Sequence, residues 1–283
     1  MPQPPAEVIL TTASVERLIR AQHPDLAAPV RPAARGWGNA VYRLGDTLAV
    51  RLPVRAVAAP LIRNEQRWLP AIAARLPVAV PAPLAVGEPG ESFPWHWSIV
   101  PWFSGTPASA VDPQARDDIA VEFAQVLLAL HTPAPSEAPH NPVRGVPLAA
   151  RAAAVEPRFI DSPRLREIWQ DGCDAPTWPN PPVWVHGDVH PGNLVLQSGG
   201  IHALIDFGDM CAGDPACDLA IAWLGFTATG RARFVEALEG AYDPHIWTRA
   251  QAWAAAIAAL LADADDAWLH AMSAHAVAEL TEA

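Results

Sequence analysis

VWVHGDVHPGNLV, residues 183–195, sets two histidines, an aspartate and an asparagine between two apolar stubs. Asp188 precedes Asn193 by five positions, and LIDFGD, residues 204–209, places Asp206 thirteen positions beyond the asparagine. Between those marks the chain reads as a strand from Leu194 to Gln197, a turn from Ser198 to Gly200 and a returning strand from Ile201 to Ile205. Such a hairpin carries Asn193 and Asp206 on its open end. Neighbouring antiparallel strands lie about 5 Å apart, so an amide oxygen and a carboxylate there can share one hard cation. Mg2+ suits the pair, because it takes few protein ligands and completes its shell with phosphate oxygens. Asp188, in the loop entering the hairpin, faces the same space and can accept a proton from a substrate hydroxyl. Singly, each residue also fits a plain turn, with Asp188 capping a loop and His186 bonded to backbone. Together, an aspartate, an asparagine five residues on and a second aspartate in D-F-G match the phosphoryl-transfer template.

Upstream, LAVR (48–51) fits a strand in which Thr47, Ala49 and Arg51 share one face. Glu65, fourteen residues on, falls in the next helix, where it can hold Arg51 against a diphosphate. Alone, that pair also fits a surface ion pair worth at most about 1 kcal/mol. GWGN supplies Gly36, Gly38 and Asn39, where backbone N–H groups can approach phosphates. The segment from Val30 to Pro53 reads as two strands, 61–76 as a helix, and 84–86 and 97–102 as further strands. PWFSGTP, 101–107, interrupts regular structure and is the expected hinge. Helices then dominate, at 114–131, 163–171, 215–226, 231–239 and in a pair from Ile246 onward, with the Pro-rich 132–147 as a connecting loop. Strands first and helices after describe an α+β protein of two lobes around a cleft, divided as 1–103 and 104–283.

Composition narrows the class. Half the residues are apolar, yet no apolar run reaches the roughly 18 residues of a membrane span. MPQPPAEVIL lacks the basic-then-apolar pattern of a signal peptide, so a cytoplasmic protein without a membrane partner is expected. Cys173, Cys211 and Cys217 form no C-x-x-C pair and read as small buried residues in a reducing compartment. All nineteen basic residues are arginine, scattered through a chain of net charge −11, so no nucleic-acid partner is expected. The acidic surplus suits a cationic small molecule. Asp263, Asp265, Asp266 and Glu279 offer either a lining for such a cation or a solvated helical face.

VHGDVHPGN and LIDFGD resemble the catalytic loop and metal motif of the aminoglycoside phosphotransferase and choline kinase family, small-molecule relatives of the protein kinases. GDPACDLA (213–220) resembles the segment that follows them, and LAVR with Glu65 resembles the family's lysine and glutamate pair. The likeness runs from about residue 30 to about residue 225 and is most specific over 183–220. It implies a protein-kinase-like fold, an antiparallel-sheet N-terminal lobe followed by a larger, mainly helical C-terminal lobe. It also implies Asp188 as catalytic base, Asn193 and Asp206 as Mg2+ ligands, and Arg51 and Glu65 as phosphate-side partners. Asp218, with His186, would brace the catalytic loop. Backbone groups of Pro101 and Phe103 would hold the nucleotide base, Pro101 through its carbonyl because proline has no N–H. One departure is Arg51, where the family usually has lysine; arginine keeps the charge but changes reach and angle. Macrolide-modifying members similarly carry arginine in an R-x-P context, as RLP does here, and can favour GTP. The implied activity is therefore Mg2+-dependent transfer of the γ-phosphoryl of ATP or GTP to a hydroxyl of a small molecule. An aminoglycoside-like or other antibiotic comes first among acceptors, with macrolides, choline-like amino alcohols and sugars as alternatives. Two further classes stay open: a metallophosphoesterase, because H-G-D-x-H resembles a two-metal cluster, and a pseudokinase made inert by Arg51.

Overall fold

Three antiparallel strands, rather than two, run between Val30 and Pro53: β1 (Val30–Arg35), β2 (Asn39–Leu44) and β3 (Leu48–Pro53). The computed structural model describes residues 5–90, 93–159 and 162–282, so the first four residues of the N-terminal stretch read above lie outside the described residues. The extra strand arises because GWG and the turn at Gly45 both reverse the chain; Gly45 sits at φ +58°, where only glycine is unstrained. β4 (Ala85–Gly87) and β5 (Trp97–Pro101) complete a sheet of order β1-β2-β3-β5-β4. Tyr42, Leu44, Val50, Leu52, Trp97 and Ile99 pack on Val15, Leu18 and Ile19 of the Thr12–Gln22 helix. Each such side chain contributes about 1.5–3 kcal/mol on burial. The helix begins in a capping box formed by Thr11 and Ser14.

The second, larger core is helical, built on Ala120–Leu130, Pro163–Asp174, Ala228–Ala237, Ile246–Leu261 and Ala267–Thr281. Alanines 250, 252, 254, 255, 256 and 258 let the Ile246–Leu261 helix approach its neighbours closely. The helix expected over 114–131 is divided into Pro113–Arg116, a 3-10 turn at Asp117–Ile119, and Ala120–Leu130. Asp117 turns inward there to accept from the backbone and hydroxyl of Thr227. The helix expected over 215–226 is two short pieces, Ala216–Leu219 and Ile221–Leu224. Among the described residues no helix is long and apolar enough to cross a membrane.

Two small sheets carry the hairpin and the segment before it. β6 (Thr106–Pro107), β8 (Leu194–Gln197) and β9 (Gly200–Leu204) form one, so the expected hinge stretch ends by joining a sheet. β7 (Val183–Val185) and β10 (Cys211–Gly213) form the other. The two main parts are stitched together as well as linked. Leu69 and Ile72, from the Ala59–Ala73 helix, belong to the larger core, and Leu204 N–H donates to the Ala79 carbonyl at 3.0 Å.

Candidate active site

The β8–β9 hairpin forms where the sequence placed it. Ser198 and Gly199 both take positive φ in its two-residue turn, and Leu194 pairs with Leu204 at the other end. Ile205 N–H then donates to the Asn193 carbonyl at 2.9 Å, which sets Asn193 and Asp206 on the same end. The Asn193 amide donates Nδ2 to the Asp188 carbonyl at 2.9 Å, so its Oδ1 is the atom left to bind a ligand. Asp206 sits in the left-handed region, φ 63° and ψ 64°, a conformation uncommon for a non-glycine residue and typical of functional turns. One amide oxygen and one half-exposed carboxylate fit a hard cation that draws its remaining ligands from water and phosphate. Among the described residues there is no group of three or more His, Cys, Asp or Glu side chains that could close a cage without such help.

The loop leading in is held from below by one buried carboxylate. Asp218 accepts from His186 N–H at 2.7 Å and Gly187 N–H at 2.9 Å, and His131 Nε2 lies 3.1 Å from it. Burial alone would raise its pKa; the His131 hydrogen bond, the nearby imidazoles and the Gly187 N–H outweigh that and hold it below the usual carboxylate range. Tyr242 extends the chain, its hydroxyl 2.7 Å from His131 Nδ1. Gly187 takes φ +83°, and a Cβ there would stand 2.5 Å from the Asp209 carbonyl. His186 is structural: Nδ1 accepts from Asp188 N–H and Nε2 donates to the Ile205 carbonyl. Both of its nitrogens are thereby committed, which removes one of the metal ligands that a two-metal esterase would need.

Asp188 lies between two side chains. Its Oδ1 accepts from Arg144 Nη2 at 3.1 Å, and His190 Nε2 lies 3.5 Å from Oδ2. Burial pushes the carboxyl up, but the contact with His190 and its charge, and then the Arg144 guanidinium, prevail and hold it far below the usual range. Arg144 also reaches Asp209, with Nε 3.5 Å from Oδ2, and Asn141 Nδ2 donates to Asp209 Oδ1 at 3.0 Å. Asn141 and Arg144 belong to the Pro-rich segment that sequence reading treats as a mere connection. The available signal was chemical: an asparagine and an arginine amid prolines, HNPVRG, in a long loop. His131, His190, Asp209 and Tyr242 likewise take part without having been assigned roles beforehand.

On the other side of the hairpin, Arg51 Nη2 donates to Glu65 Oε1 at 2.9 Å and to Asp206 Oδ1 at 3.0 Å. The expected pair is thus formed and buried, and it is joined by a third member. Burial pushes Glu65 up to about 7, with the Arg51 charge opposing. Glu65 Oε2 and Arg51 Nε are buried without a hydrogen-bond partner. Gly36 N–H donates to the Asn39 carbonyl and Val54 N–H to the Gly38 carbonyl, closing the β1–β2 turn. Asn39 Oδ1 is buried and unpartnered. Pro101 ends β5 opposite Leu48, and Phe103 stands edge-on to His202, 5.7 Å between ring centroids. These five residues border the sheet and its exit strand and make no hydrogen bond to Asp188, Asn193 or Asp206. Of the acidic residues near the C-terminus, Glu279 is bound by Arg231, Asp263 lies 3.5 Å from Arg158, and Asp266 caps the last helix.

The model of the phosphotransferase enzyme family matches residues 29–256. An uncharacterized protein of Bacillus subtilis (strain 168), YcbJ, is 26% identical over 172 residues, covering 53% of this chain and 56% of that protein. The chain thus spans about half the length of that curated relative. Among solved structures, the GDP and kanamycin complex of APH(2")-IIia is 17% identical, covering 95% of this chain and 97% of that one, with a TM-score of 0.69. The apoenzyme of macrolide 2'-phosphotransferase MphH from Brachybacterium faecium is 22% identical, covering 96% and 98%, with a TM-score of 0.64. Macrolide 2'-phosphotransferase type I is 24% identical, covering 94% and 98%, with a TM-score of 0.66. At these identities the likeness establishes the fold, the protein-kinase-like pairing of a sheet lobe with a helical part.

Proposed function

This chain belongs to the phosphotransferase enzyme family, whose members move a phosphoryl group to an alcohol, and on that premise we propose that it transfers the γ-phosphoryl of ATP or GTP to a hydroxyl of a small molecule. The observation that carries this reading is the meeting of Asp188, Asn193, Asp206 and Arg51 around one hairpin. Asn193 and Asp206 would hold Mg2+, which when bound supplies charge neutralisation to the phosphate oxygens. Arg51, fixed by Glu65, presents a cation to the diphosphate side. Asp188 receives the acceptor hydroxyl. Its depressed pKa keeps it a carboxylate at any working pH and makes it a weak base, so its work is to aim the hydroxyl and take the proton late. Phosphoryl transfer of this loose kind gains mainly from positioning and charge.

The division into lobes 1–103 and 104–283 and a cytoplasmic location belong to the same proposal. Binding of the base by the backbone of Pro101 and Phe103, and of phosphate by the turn at Gly36, Gly38 and Asn39, do too. First to be tried as acceptors are antibiotics of the kinds named for the similar structures, aminoglycosides and macrolides, then amino alcohols and sugars. The test is a coupled assay for ADP and GDP release across that panel. Acceptor-dependent release that requires Mg2+ is expected; two tightly bound transition-metal ions per chain, with phosphate-ester hydrolysis instead, would replace this reading with the esterase.

A further inference from the structure

Resting on the phosphoryl-transfer reading, we propose that Arg144 is a further catalytic residue, whose guanidinium binds the oxygens of the phosphoryl group as it passes to the acceptor. The acceptor oxygen has to lie within hydrogen-bond reach of Asp188, and the phosphorus bonds to that same oxygen. Any donor already on the Asp188 carboxylate therefore stands beside the group in flight. Arg144 Nη2 is such a donor, 3.1 Å from Oδ1.

Among the described residues no other guanidinium touches Asp188; Arg151 is near enough to feel the charge of Arg144 but makes no contact with that carboxylate. The chain has no lysine. His190 is next to Asp188, but its ring is already engaged on both nitrogens, Nδ1 with Gly192 N–H and Nε2 3.2 Å from the Asn193 amide nitrogen. Arg51 is fastened to Glu65 and Asp206 on the nucleotide side.

Arg144 is also partly uncommitted. Nε lies 3.5 Å from Asp209 Oδ2 yet is buried without a hydrogen bond, and Nη1 makes none among the described residues. Its backbone, by contrast, is tied down. Ala212 N–H donates to the Pro139 carbonyl, Asp214 N–H to the Gly145 carbonyl, and Cys211 Sγ to the Arg144 carbonyl. A fixed base and a fork with free donors are what preorganised charge stabilisation requires.

In the step itself, a lone pair of the acceptor oxygen forms the new bond to the γ-phosphorus while the bond from that phosphorus to the β,γ-bridging oxygen breaks. The bond's electron pair leaves on the nucleoside diphosphate, and the hydroxyl proton goes to Asp188. Arg144 stays protonated throughout, donating Nη1–H and Nη2–H to the equatorial phosphoryl oxygens.

The test compares the full-length wild type with Arg144→Ala and Arg144→Lys in three measurements. Arg144→Ala is expected to lower kcat by about 10²- to 10³-fold while the KM for nucleotide moves less than about threefold. Free guanidinium ion should restore part of the lost kcat, and Arg144→Lys should retain part of it. Addition of aluminium fluoride to Mg2+ and ADP, a mimic of the flat phosphoryl group, should raise the wild-type Tm beyond ADP alone. Arg144→Ala should lose that increment and keep the ADP increment. A residue that only tethered its loop would lower Tm or raise KM but leave the fluoride increment intact, and that result overturns the proposal, as does a kcat within about threefold of wild type. A wild type that shows no increment with ADP and none with GDP in its place overturns the phosphoryl-transfer reading as well, which separates the two failures.

Discussion

Two arginines flank the hairpin, each joined to two carboxylates, and they are built differently. Arg51 rises from a sheet strand to Glu65 on a helix and Asp206 at the hairpin end; its side chain is 9% exposed and that of Glu65 1%. Arg144 reaches Asp188 and Asp209 from an irregular loop, with side chains 22%, 34% and 30% exposed. Burial makes the Arg51–Glu65 part of the first assembly expensive to break, because a charge left alone there loses both water and partner, while its third member, Asp206, is 50% exposed. Partial exposure of the Asp188 and Asp209 carboxylates lets water replace a missing partner in the second. On the proposed reading the Arg51 assembly faces a constant phosphate donor and the Arg144 assembly faces an acceptor that must enter and leave.

The largest effect that would break this comparison is kinetic. Asp188→Asn is expected to lower turnover by about 10²- to 10⁴-fold with nucleotide binding unchanged, read by coupled assay and by calorimetric titration of nucleotide. Retained turnover would remove the acceptor side from the chemistry. Next in size, Asp218→Ala should cost about 3–5 kcal/mol of stability in denaturant unfolding, because it leaves two backbone N–H groups and a histidine unpaired in the core. The contrast between the two assemblies is sharpened by a matched pair of variants. Glu65→Ala should lose about 3 kcal/mol, since a buried guanidinium keeps only Asp206, whereas Asp209→Ala should lose about 1 kcal/mol or less. Equal losses would erase the distinction drawn between them.

The smallest effect is in acid. The folded-state pKa of Asp218 lies below its ordinary 3.8. The stability it contributes is therefore present above that value and is lost as pH falls through the folded pKa. Wild-type Tm is expected to drop more steeply below pH ~4 than that of Asp218→Asn, which has no carboxylate to protonate. Parallel slopes would mean that the loop is not braced through that charge.

Much of the Arg51 side was legible because it rests on regular structure. Strand alternation put Arg51 on one face with Thr47 and Ala49, helical spacing placed Glu65, and turn chemistry at Ser198–Gly200 fixed the hairpin. The extra strand between Val30 and Pro53 was missed because two glycine turns lie so close together that the segment reads as one hairpin. The Arg144 side was legible only at Asp188. Arg144 lies 44 positions from the aspartate it touches, in a loop with no periodicity to carry it across that interval. Tyr242 and His131 are 111 positions apart; His131 caps the Ala120–Leu130 helix, and Tyr242 lies in the bend between the Ala228–Ala237 and Ile246–Leu261 helices, all of which pack in the second core.

Local spacing by itself determined that an amide, a carboxylate and a second carboxylate share one end of a hairpin, since a two-residue turn fixes its register and a fixed register fixes which side chains are neighbours. Tertiary structure alone decided what surrounds them: the joining of Arg51 to Asp206, the seat of Asp218 beneath the loop, and the arginine on Asp188. Those contacts depend on how two separate cores dock and how a proline-rich loop is pinned between them. No short-range periodicity encodes that, because the free energy that selects it comes from burying surfaces far apart in the chain.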